Sequence, residues 1–102
     1  MATYILLTTL TSEGAQTLHA HPERLSAVNE EIAKLGCSVQ AQYATLGAYD
    51  FVTVLEAPDN ATVAHLSVDL ASRGTAKITT LPAVTMTALM DKLKGPDQIG
   101  KS

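Results

Sequence analysis

The chain has 102 residues, a mass of 10.7 kDa and a formal net charge of −3 at pH 7. It fits one domain, and this charge disfavours the basic surface that nucleic-acid binding needs. With 46% hydrophobic and 17% charged residues it is too apolar for intrinsic disorder, yet no apolar run reaches the length of a membrane span. The N-terminus lacks the basic region of a signal peptide, and one cysteine cannot form an internal disulfide. We therefore expect a soluble, cytoplasmic domain that binds neither nucleic acid nor a membrane.

The first part of the chain predicts a strand, a helix and a second strand. Residues 3–10 are apolar on both alternating sets, which indicates a central strand with both faces covered. A short helical turn runs toward His19, and Pro22 begins a longer helix with one apolar stripe that ends at Gly36. Residues 37–46 alternate as a half-buried edge strand does, and the alternation predicts that four residues share one face: Cys37, Val39, Ala41 and Tyr43.

A glycine-containing turn over residues 46–50 joins this edge strand to residues 51–55, and the two strands form a hairpin. Residues 51–55 are apolar on both sides, which predicts a second central strand. Asp59 caps a further helix, and Gly74 closes it.

Strand composition returns at residues 75–81, where Pro82 is expected to stop the strand. Residues 86–94 have apolar side chains at helical spacing and predict a short C-terminal helix. Residues 1–94 are expected to form one domain, followed by a flexible tail over residues 95–102.

The resulting order, β-α-β-β-α-β, predicts an α+β fold, the ferredoxin-like sandwich with an antiparallel sheet in the order 4-1-3-2. Two helices cover one face of such a sheet, yet both central strands are apolar on both sides. A second copy of the sheet is the simplest cover for the other face, which predicts a two-fold dimer with a shared barrel-like interior. Under one assignment of the pleat, four aliphatic residues form the oligomer interface: Ile5, Leu7, Val52 and Val54.

Several stretches, taken in order along the chain, are similar to the pattern of a known family. They are residues 4–7, the hairpin Gly47-Ala48-Tyr49-Asp50 with Phe51-Val52, residues 57–60, residues 72–75 and residues 80–83. Through them the chain resembles the GYD domain family over residues 3–94, a family of small bacterial and archaeal proteins of largely undefined role. The resemblance implies a dimeric α+β barrel and implies no reaction.

Six residues are candidates for a ligand site. Asp50, at the start of a central strand, can bind a ligand, a helix N-terminus or a partner subunit, or it can accept amide hydrogens of its own turn. Tyr49 can line a pocket or pack at the rim of a dimer. Four more residues can direct polar tips toward the open face and a cavity between two sheets, or form an ordinary polar edge: Tyr4, Gln40, Gln42 and Tyr43.

No catalytic or cofactor motif stands out. His19, His21 and Cys37 carry groups that metals favour, but helical residues two apart point about 200° apart, so we expect no metal site. Cys37 has the apolar neighbours of an inert buried thiol. The sequence has no phosphate loop, no paired carboxylates and no Ser-His-Asp order. We therefore expect no cofactor.

These observations favour a non-enzymatic oligomer that binds a small molecule or a protein partner in a regulatory or accessory role. One alternative is a cofactor-free or haem-using enzyme of the dimeric α+β barrel type, and its support is fold analogy. The predicted sheet faces of this chain have no histidine that could bind haem iron, which argues against the haem-using form. The other is a purely structural oligomer, in which side chains fill the space between the sheets.

Overall fold

The computed structural model describes residues 1–95, which form an antiparallel four-stranded sheet and four helices. The strands are β1 (Ala2–Leu10), β2 (Ser38–Ala44), β3 (Phe51–Ala57) and β4 (Ala76–Ala83). The helices are α1 (Ser12–Ala20), α2 (Arg24–Lys34), α3 (Asn60–Ala71) and α4 (Met86–Leu93). Apart from Gly95, the predicted tail over residues 95–102 lies outside the described residues.

The strands lie in the order β2-β3-β1-β4, which is the predicted ferredoxin-like order read from the opposite edge. β1 pairs with β3 and with β4, and β2 pairs with β3, all antiparallel. The two strands predicted to be central are central, and the glutamine-bearing strand is an edge. The α+β fold class is thus confirmed.

The hydrophobic core lies between the sheet and the helices on one of its faces. Tyr4 and Leu6 of β1 and Leu55 of β3 are buried there, and Ile32 of α2 and Leu66 of α3 contact them from the helix side. Alternation along β1 and β3 sends every second side chain to this face. The intervening apolar residues therefore lie on the other face.

Helix α1, predicted as a short turn, is a nine-residue helix that lies close to the start of β4. Its N-cap Thr11 accepts the N–H of Gly14 at 3.0 Å through its side chain, and the Thr11 N–H donates to the Thr75 carbonyl at 3.1 Å. Gly14 is buried, and a Cβ atom there would lie 1.9 Å from the Thr75 carbonyl oxygen. The missing side chain at Gly14 allows this close approach.

Each edge strand has a local feature that differs from a regular strand, a bulge in β2 and a proline in β4. β2 has a bulge between Val39 and Ala41, and the Gln40 carboxamide donates to Ser38 Oγ at 2.9 Å. β4 continues through Pro82 to Ala83, so the predicted stop at Pro82 was wrong. An edge strand tolerates proline because one of its two sides has no strand to pair with.

Helix α4 lies beyond β4 and confirms the predicted C-terminal helix. The Thr85 side chain caps it by accepting the Ala88 N–H at 3.0 Å. None of its residues is buried against the described part of the chain, and Met86, Leu89 and Met90 are exposed. We call these three residues the C-terminal stripe. No helix within residues 1–95 is long and apolar enough to cross a membrane.

Candidate functional site

The sheet face opposite the core, here called the open face, has an apolar centre. Ile5 is the cross-strand partner of Val54, and Leu7 is the partner of Val52. The four residues predicted for an oligomer interface therefore lie on one face as two neighbouring pairs. Each is half-buried, since adjacent side chains cover it and helices α2 and α3 pack on the other face of the sheet.

The apolar centre continues onto both edge strands and ends in polar residues. Leu81 of β4 lies opposite Ile5 and is 41% exposed, and Tyr43 of β2 lies opposite Val52 and is 65% exposed. Glu56 lies on the same face toward one end and Lys77 toward the other. An apolar centre with a polar border is typical of a protein interface.

Asp50 holds the β2–β3 hairpin to the end of β1. Its Oδ2 accepts the Leu10 N–H at 2.7 Å, and its own N–H donates to the Thr8 carbonyl at 2.8 Å. Its carbonyl accepts the Thr45 N–H at 2.8 Å. The carboxylate therefore accepts an amide hydrogen from β1, which was not among the partners expected from the sequence. A ligand role for Asp50 stays a prediction.

Two substitutions test this structural role. We expect Asp50→Asn to lose about 1 kcal/mol of stability or less, because the amide oxygen can still accept the Leu10 N–H. Asp50→Ala leaves that N–H without its partner and is expected to cost about 1–3 kcal/mol. Urea denaturation of both variants measures the difference. Equal losses would show that the hydrogen bond to Leu10 contributes nothing.

Tyr4 and Gln42 do not point toward the open face, so that expectation was wrong for both. The buried Tyr4 hydroxyl donates to Asn60 Oδ1 at the start of α3. Gln42 accepts from Asn29 Nδ2 at 2.9 Å and donates to Thr53 Oγ1 at 3.0 Å. Gln42 lies on the core side because the bulge in β2 adds one residue, which reverses the alternation of side chains between the two faces beyond it.

The same reversal separates Tyr43 and Ala41 from Val39, although the sequence predicted that they share one face. Val39 lies opposite Leu55 on the core side, whereas Tyr43 lies opposite Val52 on the open face. Tyr49 is exposed in the hairpin loop, where its carbonyl accepts the Thr45 hydroxyl at 2.7 Å. With Gln40 in the bulge, the six candidate ligand residues are not brought together in one pocket.

A pocket of about 180 Å³ lies between the sheet and helices α1 and α2, and we call it the helix-side pocket. The sequence predicted a cavity on the opposite face, between two sheets. Of the six candidate residues, Gln42 lines the helix-side pocket. Sequence reasoning missed this pocket because Gly14, Thr17 and Leu18 of α1 form part of its wall, and the packing of α1 beside the sheet was not predicted.

An ion pair between Glu31 of α2 and Arg73 lies beside this pocket. The hydrogen bond from the Arg73 guanidinium holds the pKa of Glu31 below its usual value, and Glu31 raises the pKa of Arg73. Both side chains are 36% exposed, so the pair contributes little to stability. Elsewhere, the Thr62 N–H and hydroxyl lower the pKa of Asp59, which is the predicted N-cap of α3.

The residues weighed as metal ligands lie apart from one another. Cys37 is buried in the core, where burial raises the pKa of its thiol. His21 is exposed, with its Nδ1 atom 3.3 Å from Glu23 Oε1. Within residues 1–95, no three His, Cys, Asp or Glu side chains are grouped so that they could hold a metal ion.

Comparison with known proteins adds two findings. The family model of the GYD domain matches residues 4–93, which include all of the core and α4. A relative from Thermus thermophilus is 52% identical over 95 residues, which make up 92% of this chain and 100% of the relative. That relative is named glutamine synthetase and cystathionine beta-lyase binding protein.

Proposed function

The chain belongs to the GYD domain family, and from this premise we propose that it is a non-enzymatic oligomer that binds a protein partner in an accessory role. The relative that is 52% identical over its whole length supports this proposal, because it is named as a binding protein for two enzymes. The apolar open face is the observation in the structure that carries the oligomer, and the exposed C-terminal stripe supports the partner site.

The open face favours self-association. Ile5, Leu7, Val52 and Val54 are aliphatic and adjacent, and they lie on the two strands that form the middle of the sheet. Removing one such side chain from water is worth about 1.5–3 kcal/mol when it becomes fully buried. A second copy of this chain offers the same apolar centre and the same polar border, as a two-fold interface requires. We therefore propose these four residues as the centre of a homodimer or larger oligomer.

The C-terminal stripe is the surface that we assign to the protein partner. Met86 and Met90 are 72% and 49% exposed, and Leu89 lies beside them. Methionine side chains are flexible and polarisable, so they can fit surfaces of different shape. A flexible surface of this kind can bind more than one partner, and the relative from Thermus thermophilus is named as a binding protein for two different enzymes.

The enzyme alternative has less support. Among the described residues, no carboxylate, histidine or cysteine lines the helix-side pocket. The open face holds no histidine, and its carboxylate, Glu56, lies at the polar border and not in the apolar centre. Acid–base catalysis needs such a group within hydrogen-bonding reach of the substrate. The purely structural oligomer differs from our proposal in lacking a partner, so partner binding is the deciding measurement.

We expect Val54→Lys to convert the oligomer into a monomer, because an ammonium group would be buried without a partner at the centre of the interface. Sedimentation velocity at micromolar concentration measures the change. Ala64→Lys is the matched control, since it adds the same charge at an exposed position of α3 and should leave the oligomer intact. A wild-type monomer of 10.7 kDa would contradict self-association.

Partner binding is tested with purified glutamine synthetase and cystathionine beta-lyase from the source organism, by surface plasmon resonance. We expect the wild type to bind at least one of the two enzymes, and the double variant Met86→Ser, Met90→Ser to bind at least about tenfold more weakly. The double variant should keep the oligomeric state of the wild type. Binding of neither enzyme by the wild type would overturn the accessory role.

A further inference from the structure

We propose that the helix-side pocket binds a small organic monoanion, namely a monocarboxylate with an apolar aliphatic or aromatic body. The site is on the opposite side of the sheet from the proposed oligomer interface. It is also distinct from the C-terminal stripe, so the inference does not rest on the proposed function.

The size and lining of the pocket set the apolar part of the ligand. Its volume of about 180 Å³ slightly exceeds that of an apolar cavity of about 150 Å³ that takes up benzene. Leu6 and Ile32 are buried and form its floor, and seven of the other lining residues are aliphatic, with Phe51 adding an aromatic ring. A body of about six to eight carbon atoms therefore fits.

The charges around the pocket determine the polar group of the ligand. Arg24 and Arg73 are the only arginines in the sequence, and both line this pocket, whereas no lining residue among those described is acidic. Arg73 is paired with Glu31, while Arg24 makes no ion pair within residues 1–95. Arg24 still attracts the Glu31 carboxylate, so the two arginines and this one carboxylate leave one net positive charge beside the pocket. A single carboxylate matches this charge and the planar guanidinium geometry.

The hydrogen bonds of the pocket give the ligand an orientation. At the floor, the buried Thr53 hydroxyl already accepts from Gln42, and both ends of the Gln42 carboxamide are paired. The Thr53 and Gln42 side chains therefore need no polar partner from the ligand. Arg24 is exposed, as is Leu25 beside it, so these residues lie at the mouth. The carboxylate would lie at the mouth against Arg24, with the apolar body over Leu6.

Hexanoate and benzoate are suitable probes, with hexanol as the uncharged match and inorganic phosphate as an anion without an apolar body. We expect both carboxylates to shift the methyl NMR signals of Ile32 and Leu6. Hexanol should bind at least about tenfold more weakly than hexanoate, because it cannot form a charge-assisted hydrogen bond with Arg24. Phosphate should not shift these methyl signals.

Arg24→Gln is expected to reduce hexanoate affinity at least about tenfold while leaving hexanol affinity unchanged. Lys34→Gln is the matched control: it removes a cation from the same helix, but Lys34 does not line the helix-side pocket. Equal affinities for hexanoate and hexanol would overturn the proposal, and so would equal losses in the two variants. Phosphate that competes with hexanoate would indicate a surface anion site instead of this pocket. None of these outcomes bears on oligomer formation or on binding of the two enzymes.

Discussion

Gly14→Ala is expected to lower the free energy of unfolding by about 3 kcal/mol, because the new methyl group would overlap a backbone carbonyl that cannot rotate away. The Cβ atom would lie 1.9 Å from the Thr75 oxygen and 2.8 Å from the Thr75 carbonyl carbon. Alanine normally stabilises a helix by about 1 kcal/mol relative to glycine. A loss of stability in Gly14→Ala would therefore show that α1 contacts Thr75 at this position, because helix propensity alone predicts a gain. In a domain of this size we expect the melting temperature to fall by more than about 10 °C.

The reverse exchange at the next residue is the control. Ala15 is exposed on α1, so Ala15→Gly should cost only the difference in helix propensity, about 1 kcal/mol. Thermal unfolding followed by circular dichroism compares the two variants. If Gly14→Ala proved more stable than the wild type, α1 would not lie against Thr75 in solution.

Leu55→Ala is expected to cost about 2–5 kcal/mol, whatever the protein concentration, because Leu55 is fully buried within one chain. Its neighbour Val54 points to the open face and is only half-buried in the single chain. If a second sheet covers Val54, Val54→Ala weakens association as well as folding. Its cost should then depend on protein concentration, since dissociation is part of unfolding.

Urea denaturation at two protein concentrations that differ about a hundredfold separates the two effects. For the wild type we expect the midpoint to rise with concentration. The difference in midpoint from the wild type should change with concentration for Val54→Ala and stay the same for Leu55→Ala. A wild-type midpoint that did not change with concentration would mean that Val54 faces water in solution.

Long-range features of the fold could be predicted from the sequence because they depend on composition that persists over several residues. Residues 3–10 and 51–55 are apolar on both alternating sets, and this identified the central strands and hence the strand order. The cap at Asp59 was predicted because its carboxylate has a local partner, the Thr62 N–H, three residues along the chain.

The errors have local causes that leave no mark on composition. Gln40 is as polar as Gln42, so nothing in the alternation reveals that one of them occupies a bulge. The place of every later side chain of β2 depends on that bulge, including Tyr43. The helical turn toward His19 was predicted, but its close approach to Thr75, which relies on the missing side chain of Gly14, was not. The helix-side pocket was missed along with it.

The irregular edges of the sheet affect how copies of this chain can aggregate. A regular edge strand offers unpaired N–H and C=O groups to which further strands can add, as in amyloid fibrils. Here Pro82 lacks an N–H on one edge, and the bulge at Gln40 breaks the ladder spacing on the other. Lateral growth of the sheet into a fibril is thus disfavoured at both edges. A concentrated solution should therefore favour closed assemblies of limited size over fibrils.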